Sequence, residues 1–307
     1  MKRLEEIGKK IAALNLWEVA APFNWAIKPS GVAYPYFCSL LKPGKMLAGH
    51  IVMLDGWQTF HDFIMTRCDN SYGFYSSPAE LPHYAMIVAK DETVAFFRND
   101  TGYLPRAKFS ESEINMLSKI LWEIYGVMMR FENDRTLAMK FASENAIFSR
   151  VESADGTWSD QPLAIVQPRV HIERVALRKD DVAAAKDLPF AMEESLAVDF
   201  RVVPGLHTME PRPRLAYMFA GIDTSTGERV IRHLSSIPNE GSLRSLWENL
   251  APRLLKEFIA RKRIPGEVQV VSQRVFRMLR PLCTELPFKL SLHDSIPALD
   301  ATFTQKP

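Results

Sequence analysis

The sequence predicts an α/β protein in two parts. Residues 1–203 read as an aromatic-rich α+β region, and residues 214–307 as a mixed sheet with helices. Three observations lead there. Hydrophobic residues make up 47% and charged residues 24% of 307, an ordinary globular balance, and that length accommodates about two domains. Apolar periods of two and of 3.6 alternate along the chain, most regularly beyond residue 214. Between the parts, the stretch from Pro204-Gly205 to Pro211-Arg212-Pro213 is rich in proline and reads as a linker over 204–213.

In the first part, Leu4, Ile7, Ile11 and Leu14 form one stripe of an amphipathic helix. Residues 22–43 are aromatic and punctuated by proline, with no clear period. Met46–Leu54 reads as a strand, and Asp55-Gly56-Trp57-Gln58 as a capping box opening a helix with Trp57, Phe60, Ile64 and Cys68 on one face. Ala85–Val88 and Val94–Phe97 flank a polar turn, as in a hairpin. Ser110-Glu111-Ser112-Glu113 is a second capping box, followed by Ile114, Leu117, Leu121, Ile124, Met128 and Phe131 at helical spacing. Ala146–Glu152 and Thr157–Val166 form a further hairpin around Ala154-Asp155-Gly156. A short helix near Asp180–Leu188 and an alternating strand, Leu196–Val203, close the part.

The second part opens with a hairpin, Leu215–Ile222 and Glu228–Leu234. A helix from about Ser242 carries Leu246, Trp247, Leu250, Leu254 and Phe258 on one side. Pro252 predicts a kink there or two abutting helices. Strand 267–272, helix 273–286 and strand 288–293 form a parallel βαβ crossover, and Ser295-Ile296-Pro297 starts a last short helix. One strand of a ribonuclease-H-like order, the third of its opening meander, is not visible. Leu121-Trp122-Glu123 and Leu246-Trp247-Glu248 each follow a hairpin, a faint hint of duplication.

Two resemblances bear on function. Ile264-Pro265-Gly266-Glu267, Arg280-Pro281-Leu282 and Ser295-Ile296-Pro297-Ala298-Leu299-Asp300 resemble a domain of uncharacterised bacterial proteins over about the last 45 residues. That resemblance implies a bacterial origin and an unknown function, and supplies no catalytic residues. Ala220-Gly221-Ile222-Asp223-Thr224-Ser225-Thr226-Gly227 looks like the first phosphate loop of actin-like ATPases, where a hydroxyl-rich turn cradles phosphate. Those proteins need a second lobe and a later glycine cluster, which are lacking here. Ordinary turn chemistry accounts for the same residues.

Asp223 could also serve a two-metal nuclease, with Asp294 or Asp300 as the later acid, but Ser272-Gln273 stands where a further ligand is expected. Mg²⁺ is a cofactor only under that alternative, and otherwise none is predicted. Charge offers a different reading. Net charge is only +2, yet from Leu250 to Leu290 nine basic residues (Arg253, Lys256, Arg261, Lys262, Arg263, Arg274, Arg277, Arg280 and Lys289) outnumber three acids. Arg261, Lys262, Arg263, Arg274, Arg277 and Arg280 are the candidates for contact with phosphate, nucleic acid or an acidic protein surface. A pair of solvated helix faces is the simpler reading of the same residues.

Elsewhere, Tyr72-Gly73-Phe74-Tyr75-Ser76-Ser77-Pro78 has the composition of a ring-stacking segment, although packing over the aromatic first part is the simpler reading. His50, His61, Asp62 and Cys68 lack metal-ligand spacing. Pro43-Gly44-Lys45-Met46 is not a phosphate loop. Three dispersed cysteines and the lack of a signal-like leader or a long apolar run lead us to expect a cytoplasmic chain off the membrane. The expectation is a non-catalytic binding or interaction protein, with a divalent-metal phosphodiesterase or nuclease as the alternative.

Overall fold

Residues 1–17, 23–41, 47–67, 80–141, 143, 145–167, 175–208, 212–238 and 242–304 are described by a computed structural model, and the following concerns those residues. They divide into two units. The first holds the described residues through 167 apart from Gly102–Leu104, and the second holds Gly102–Leu104 and residues 175–304. Helices and mixed sheets occur in both, so the chain is α/β.

In the first unit, helix α1 (Lys2–Ala13) buries Leu4, Ile7 and Ile11, as its period requires. Strands β1 (Phe23–Lys28) and β2 (Tyr36–Leu41) occupy the stretch in which no period was evident, and β3 (Leu47–Asp55) leads into α2 (Gly56–Arg67). Gln58 does not reach back to close a box on Asp55; its Nε2 donates forward to Asp62 at 3.3 Å. Next come the hairpin β4 (His83–Ala89) and β5 (Val94–Asn99), then α3 (Glu111–Asn133), α4 (Leu137–Phe141), β6 (Ala146–Glu152) and β7 (Trp158–Ala164). The capping box at Ser110 is complete: Ser110 Oγ accepts from Glu113 N, and the Glu113 carboxylate accepts from Ser110 N. The sheet order is β5-β4-β3-β2-β1-β6-β7, with β1 parallel to β6 and all other pairs antiparallel. Trp25, Ile27, Met53 and Phe148 meet Ile7, Leu117, Ile124 and Met128 of α1 and α3 in one core. On the opposite face Phe37 packs against Trp57 and Phe60 of α2.

The second unit runs α5 (Lys179–Lys186), β8 (Phe190–Thr208), β9 (Arg214–Asp223), β10 (Arg229–Ser235), α6 (Leu243–Glu248), α7 (Leu250–Arg261), β11 (Ile264–Val270), α8 (Gln273–Cys283), β12 (Lys289–Leu292) and α9 (Pro297–Thr304). Its sheet order is β10-β9-β8-β11-β12. Strand β8 is antiparallel to β9 and parallel to β11, which is parallel to β12. The two abutting helices foreseen around Pro252 are α6 and α7, with Pro252 in the first turn of α7.

One expectation is corrected here. The boundary placed at 204–213 cuts through the second sheet, because β8 is its central strand and pairs with β9 from Leu196 to Thr208. The Pro204-Gly205 pair looked like a linker because the ladder breaks between Val202 and His207, where Gly205 adopts φ +76°, before pairing resumes at His207 opposite Leu215. A bulge leaves backbone unpaired without ending the strand. Strand β8, which the sequence places at the end of the first part, instead opens the meander β8-β9-β10.

Alternation along β8 builds two cores on opposite faces of the sheet. Leu196, Val198 and Phe200 join Trp247, Leu254, Phe258, Val275 and Leu279 beneath α6, α7 and α8. Ala197 and Val203 join Met218, Ala220 and Ile222 of β9 beneath Leu299 and Phe303 of α9. Both sheets follow a common route: a meander leaves the first strand on one side, and a helical crossover returns the chain to its other side in parallel. The similar Leu-Trp-Glu triplets do not share an environment, since Trp247 is 1% exposed and Trp122 is 39% exposed.

Candidate functional site

Asp223 ends β9 and serves its own turn. Its Oδ1 accepts from Ser225 N at 2.9 Å, Ser225 Oγ at 2.6 Å and Thr226 N at 3.3 Å. The Ser225 hydroxyl leads the interactions that hold this carboxyl below its ordinary range. Thr224 N donates to Ser195 O and Gly227 N to Asp223 O. The four amides that a phosphate would need are therefore all engaged, so the turn reading fits the geometry and the phosphate-loop resemblance does not.

The acids named from the sequence do not gather. Asp223 lies opposite Leu196 of β8, whereas Asp300 sits on α9 and pairs with Arg201, five residues along the same strand. At about 3.3 Å per residue their two anchor points on β8 lie roughly 16 Å apart, several times the spacing of a shared ion pair. Asp294 is exposed in the segment before α9. Among the described residues no three His, Cys, Asp or Glu side chains are grouped to hold a metal.

The structure instead assembles a site around a residue that the sequence reading passed over. Asp199 lies mid-strand on β8, on the α9 face, and is only 1% exposed. Its Oδ1 accepts from Phe200 N at 2.8 Å and its Oδ2 from Arg201 Nε at 2.5 Å. Arg201 Nη1 lies 2.8 Å from Asp300 Oδ1, and its guanidinium carbon is 4.7 Å from the Phe303 ring centroid. Burial pushes the Asp199 carboxyl up, and Arg201 opposes that shift. One guanidinium thus lies between two carboxylates and against one ring, joining strand to helix.

Beside α9 the same sheet face is polar. Gln269 Nε2 donates at 3.0 Å both to Glu267 Oε2 and to Ser195 Oγ, and Lys289 Nζ lies 3.1 Å from Glu267 Oε1. Gln269 foremost, then Ser291 and Lys289, hold the Glu267 carboxyl down at about 2 despite partial burial. Ser291 Oγ of β12 and Nε2 of His293, just after the strand, are 3.0 Å apart. Glu267 is saturated by its own neighbours across three strands.

The basic residues disperse. Arg261 and Arg263 both face Glu194 of β8, at 3.6 and 2.9 Å. Arg274 is 3% exposed and lies over the Trp247 ring at 3.8 Å, out of reach of a phosphate backbone. Arg253 Nη1 donates to Ser235 Oγ, and burial lowers its pKa. Arg277 is half-buried, whereas Lys256, Lys262 and Arg280 are exposed. The linear charge count missed Glu194 because it lies 56 residues before Leu250, on a strand that had been assigned to the other domain.

In the first unit, burial lowers the pKa values of His50 and His83, the latter to about 4. His61 lies half-buried on α2. Burial also pushes the Cys38 thiol up, which leaves it inert. Cys68, the aromatic segment 72–78 and Pro43-Gly44-Lys45-Met46 lie outside the described residues.

Residues 181–305 match a family described as a domain of unknown function (DUF6930). The match begins in α5 and spans the second sheet and its helices, β8 included, which agrees with the corrected boundary. No curated protein and no solved structure matches the chain. No helix among the described residues is long and apolar enough to cross a membrane.

Proposed function

We propose that the chain is a non-catalytic binding or interaction protein whose second unit has a ribonuclease-H-like arrangement but does not carry out metal chemistry. The arrangement is supported by a three-stranded antiparallel meander, β8-β9-β10, followed by β11 and β12 laid parallel on the other side of β8 through helical crossovers. Arg201 carries the functional reading. The buried carboxylate of the central strand and the acid of the last helix are both paired with the protein's own guanidinium. Two-metal phosphodiester chemistry requires several carboxylates converging on ions about 4 Å apart, and here the converging group is already a cation.

The groups offered to a partner are the exposed Lys256 of α7, Lys262 at its C-cap and Arg280 of α8. Their chemistry suits a polyanion, whether nucleic acid or an acidic protein surface. Bacterial origin and a cytoplasmic location remain part of this reading, on the C-terminal resemblance and the dispersed cysteines.

Titration calorimetry of the full chain with MnCl₂, together with heparin chromatography, tests the proposal. No saturable Mn²⁺ binding is expected. Heparin should retain the wild type at low salt, with retention falling steeply as salt rises and on Lys256→Glu with Arg280→Glu. Saturable Mn²⁺ binding that is lost in Asp223→Ala or Asp300→Asn would establish the metal-dependent alternative. Passage through heparin at low salt would remove the polyanion reading.

A further inference from the structure

Helix α9 has eight residues, too few to persist on its own in water. Its place depends on what it touches. Leu299 and Phe303 fill the smaller core with Ala197, Val203, Met218, Ala220 and Ile222. The two strand alanines leave room for those larger side chains. This core is separated by the sheet from the larger core, in which Val198, Phe200, Trp247, Phe258 and Val268 hold β8 and β11 to α6, α7 and α8. Removing α9 therefore leaves the contacts of the larger core in place.

Arg201 is the polar tie between α9 and the sheet. It reaches Asp300 through Nη1, lies against Phe303 three residues further along the same helical face, and reaches Asp199 through Nε. Asp300 also lies in the first turn of α9, where a negative charge suits the helix dipole. Arg201 and Asp300 are 35% and 42% exposed, so water reaches this tie, whereas Asp199 is sealed beneath it. The charged groups around Asp199 are Arg201 on its own strand and Asp300 on α9. The β9 residues on that face, Met218, Ala220 and Ile222, carry no charge, and Glu267 of β11 is engaged with Gln269 and Lys289.

We propose that α9 is a latched cover: Arg201 fastens it to Asp199 of the central strand, and loosening that fastening lets α9 lift while the sheet and its other helices stay folded. Lifting bares the apolar strip of β8 and β9 alongside the polar row Ser195, Glu267 and Gln269. The two halves of that sheet face then become one surface. The inference uses only the geometry of this cover and does not rest on the polyanion reading, so neither fails with the other.

Hydrogen exchange of the full chain, read on peptides covering 297–304 and 264–270, tests it. Asp300→Asn changes only an exposed partner and should speed exchange in 297–304 about threefold, in line with the small worth of such pairs. Arg201→Met should speed it at least tenfold. Exchange in 264–270 should stay within twofold of wild type in both. Unchanged rates in 297–304 would overturn the latch. So would acceleration of 264–270 in step with 297–304, which would make α9 an inseparable part of the fold. Should Arg201→Met fail to fold, Asp300→Asn alone decides between these outcomes.

Discussion

Acidification from pH 7 to 5 should weaken the first unit through His83. This residue opens β4, is 6% exposed, and places Nδ1 2.8 Å from Leu81 O, a carbonyl that also accepts from Asn99 Nδ2. Nδ1 is thus the donor, and a second proton would put a buried charge near Arg98. Burial lowers the pKa to about 4, against 6.5 for the free side chain. The unfolded chain therefore takes up a proton at a higher pH than the folded one does. The resulting stability is fully present above pH 6.5 and is lost as pH falls toward 4. At about 1.4 kcal/mol per pH unit the loss approaches roughly 3 kcal/mol, of which about 2 kcal/mol is reached by pH 5. Burial shifts His50 in the same direction, so its contribution adds to the loss. The assay is urea unfolding of wild type and His83→Asn at both pH values, followed by tryptophan fluorescence. Trp17, Trp25, Trp57, Trp122 and Trp158 belong to the first unit and Trp247 to the second, so the signal reports chiefly the first. The Asn amide keeps a donor for Leu81 but does not titrate. The variant should lose about 2 kcal/mol less than wild type between the two pH values, and equal losses would refute the reasoning.

Two further outcomes concern local structure. Gly266→Ala should destabilise the second unit by about 2 kcal/mol or more, because its Cβ would fall 2.1 Å from the Met192 carbonyl oxygen where the β8–β11 ladder shifts register, and backbone cannot yield as a side chain would; a melting temperature equal to wild type would contradict this. Ser110→Ala should cost about 1 kcal/mol in urea unfolding and Ser110→Thr much less, since Ser110 Oγ accepts from Glu113 N and Thr keeps that hydroxyl, while Arg106 independently anchors the Glu113 carboxylate; equal losses for the two would show that the cap hydroxyl is not the source.

The parts of the fold that were legible are those in which one face is wet and the other dry. The helix behind Ser110 shows its period because burial alternates with exposure around it, and the hairpin β4–β5 is marked by the polar turn between its two apolar runs. Strand β2, Tyr-Phe-Cys-Ser-Leu-Leu, did not, because Phe37, Cys38, Ser39 and Leu40 are all fully buried: α2 covers one face and the α1–α3 core the other. A strand covered on both sides has no alternation to read. At β8 the failure was of another kind. Its alternation from Leu196 to Val203 was plain, but the bulge at Pro204-Gly205 gave the signature of a loop, and the strand was cut off from the sheet it centres.

That single misplacement explains what was missed at the site. With β8 assigned to the other domain, Asp199 had no reason to be weighed with Asp300, and Glu194 had none to be counted against Arg261 and Arg263. Neither pairing leaves a local mark, because the partners lie some 70 to 100 residues apart in sequence and meet only through strand register. Asp223 drew the attention instead, since the hydroxyls that make it conspicuous lie within three residues, and one of them, on Ser225, satisfies it together with the Ser225 and Thr226 amides. A buried aspartate in the middle of a strand is disfavoured both by strand propensity and by desolvation, and replacing such an ion pair with apolar side chains is often neutral or better for stability. Stability alone therefore gives no reason for Asp199 and Arg201 to stand there, whereas a cover that must both close and open does: an apolar replacement would hold α9 down without the exposed half of the tie through which it can be released.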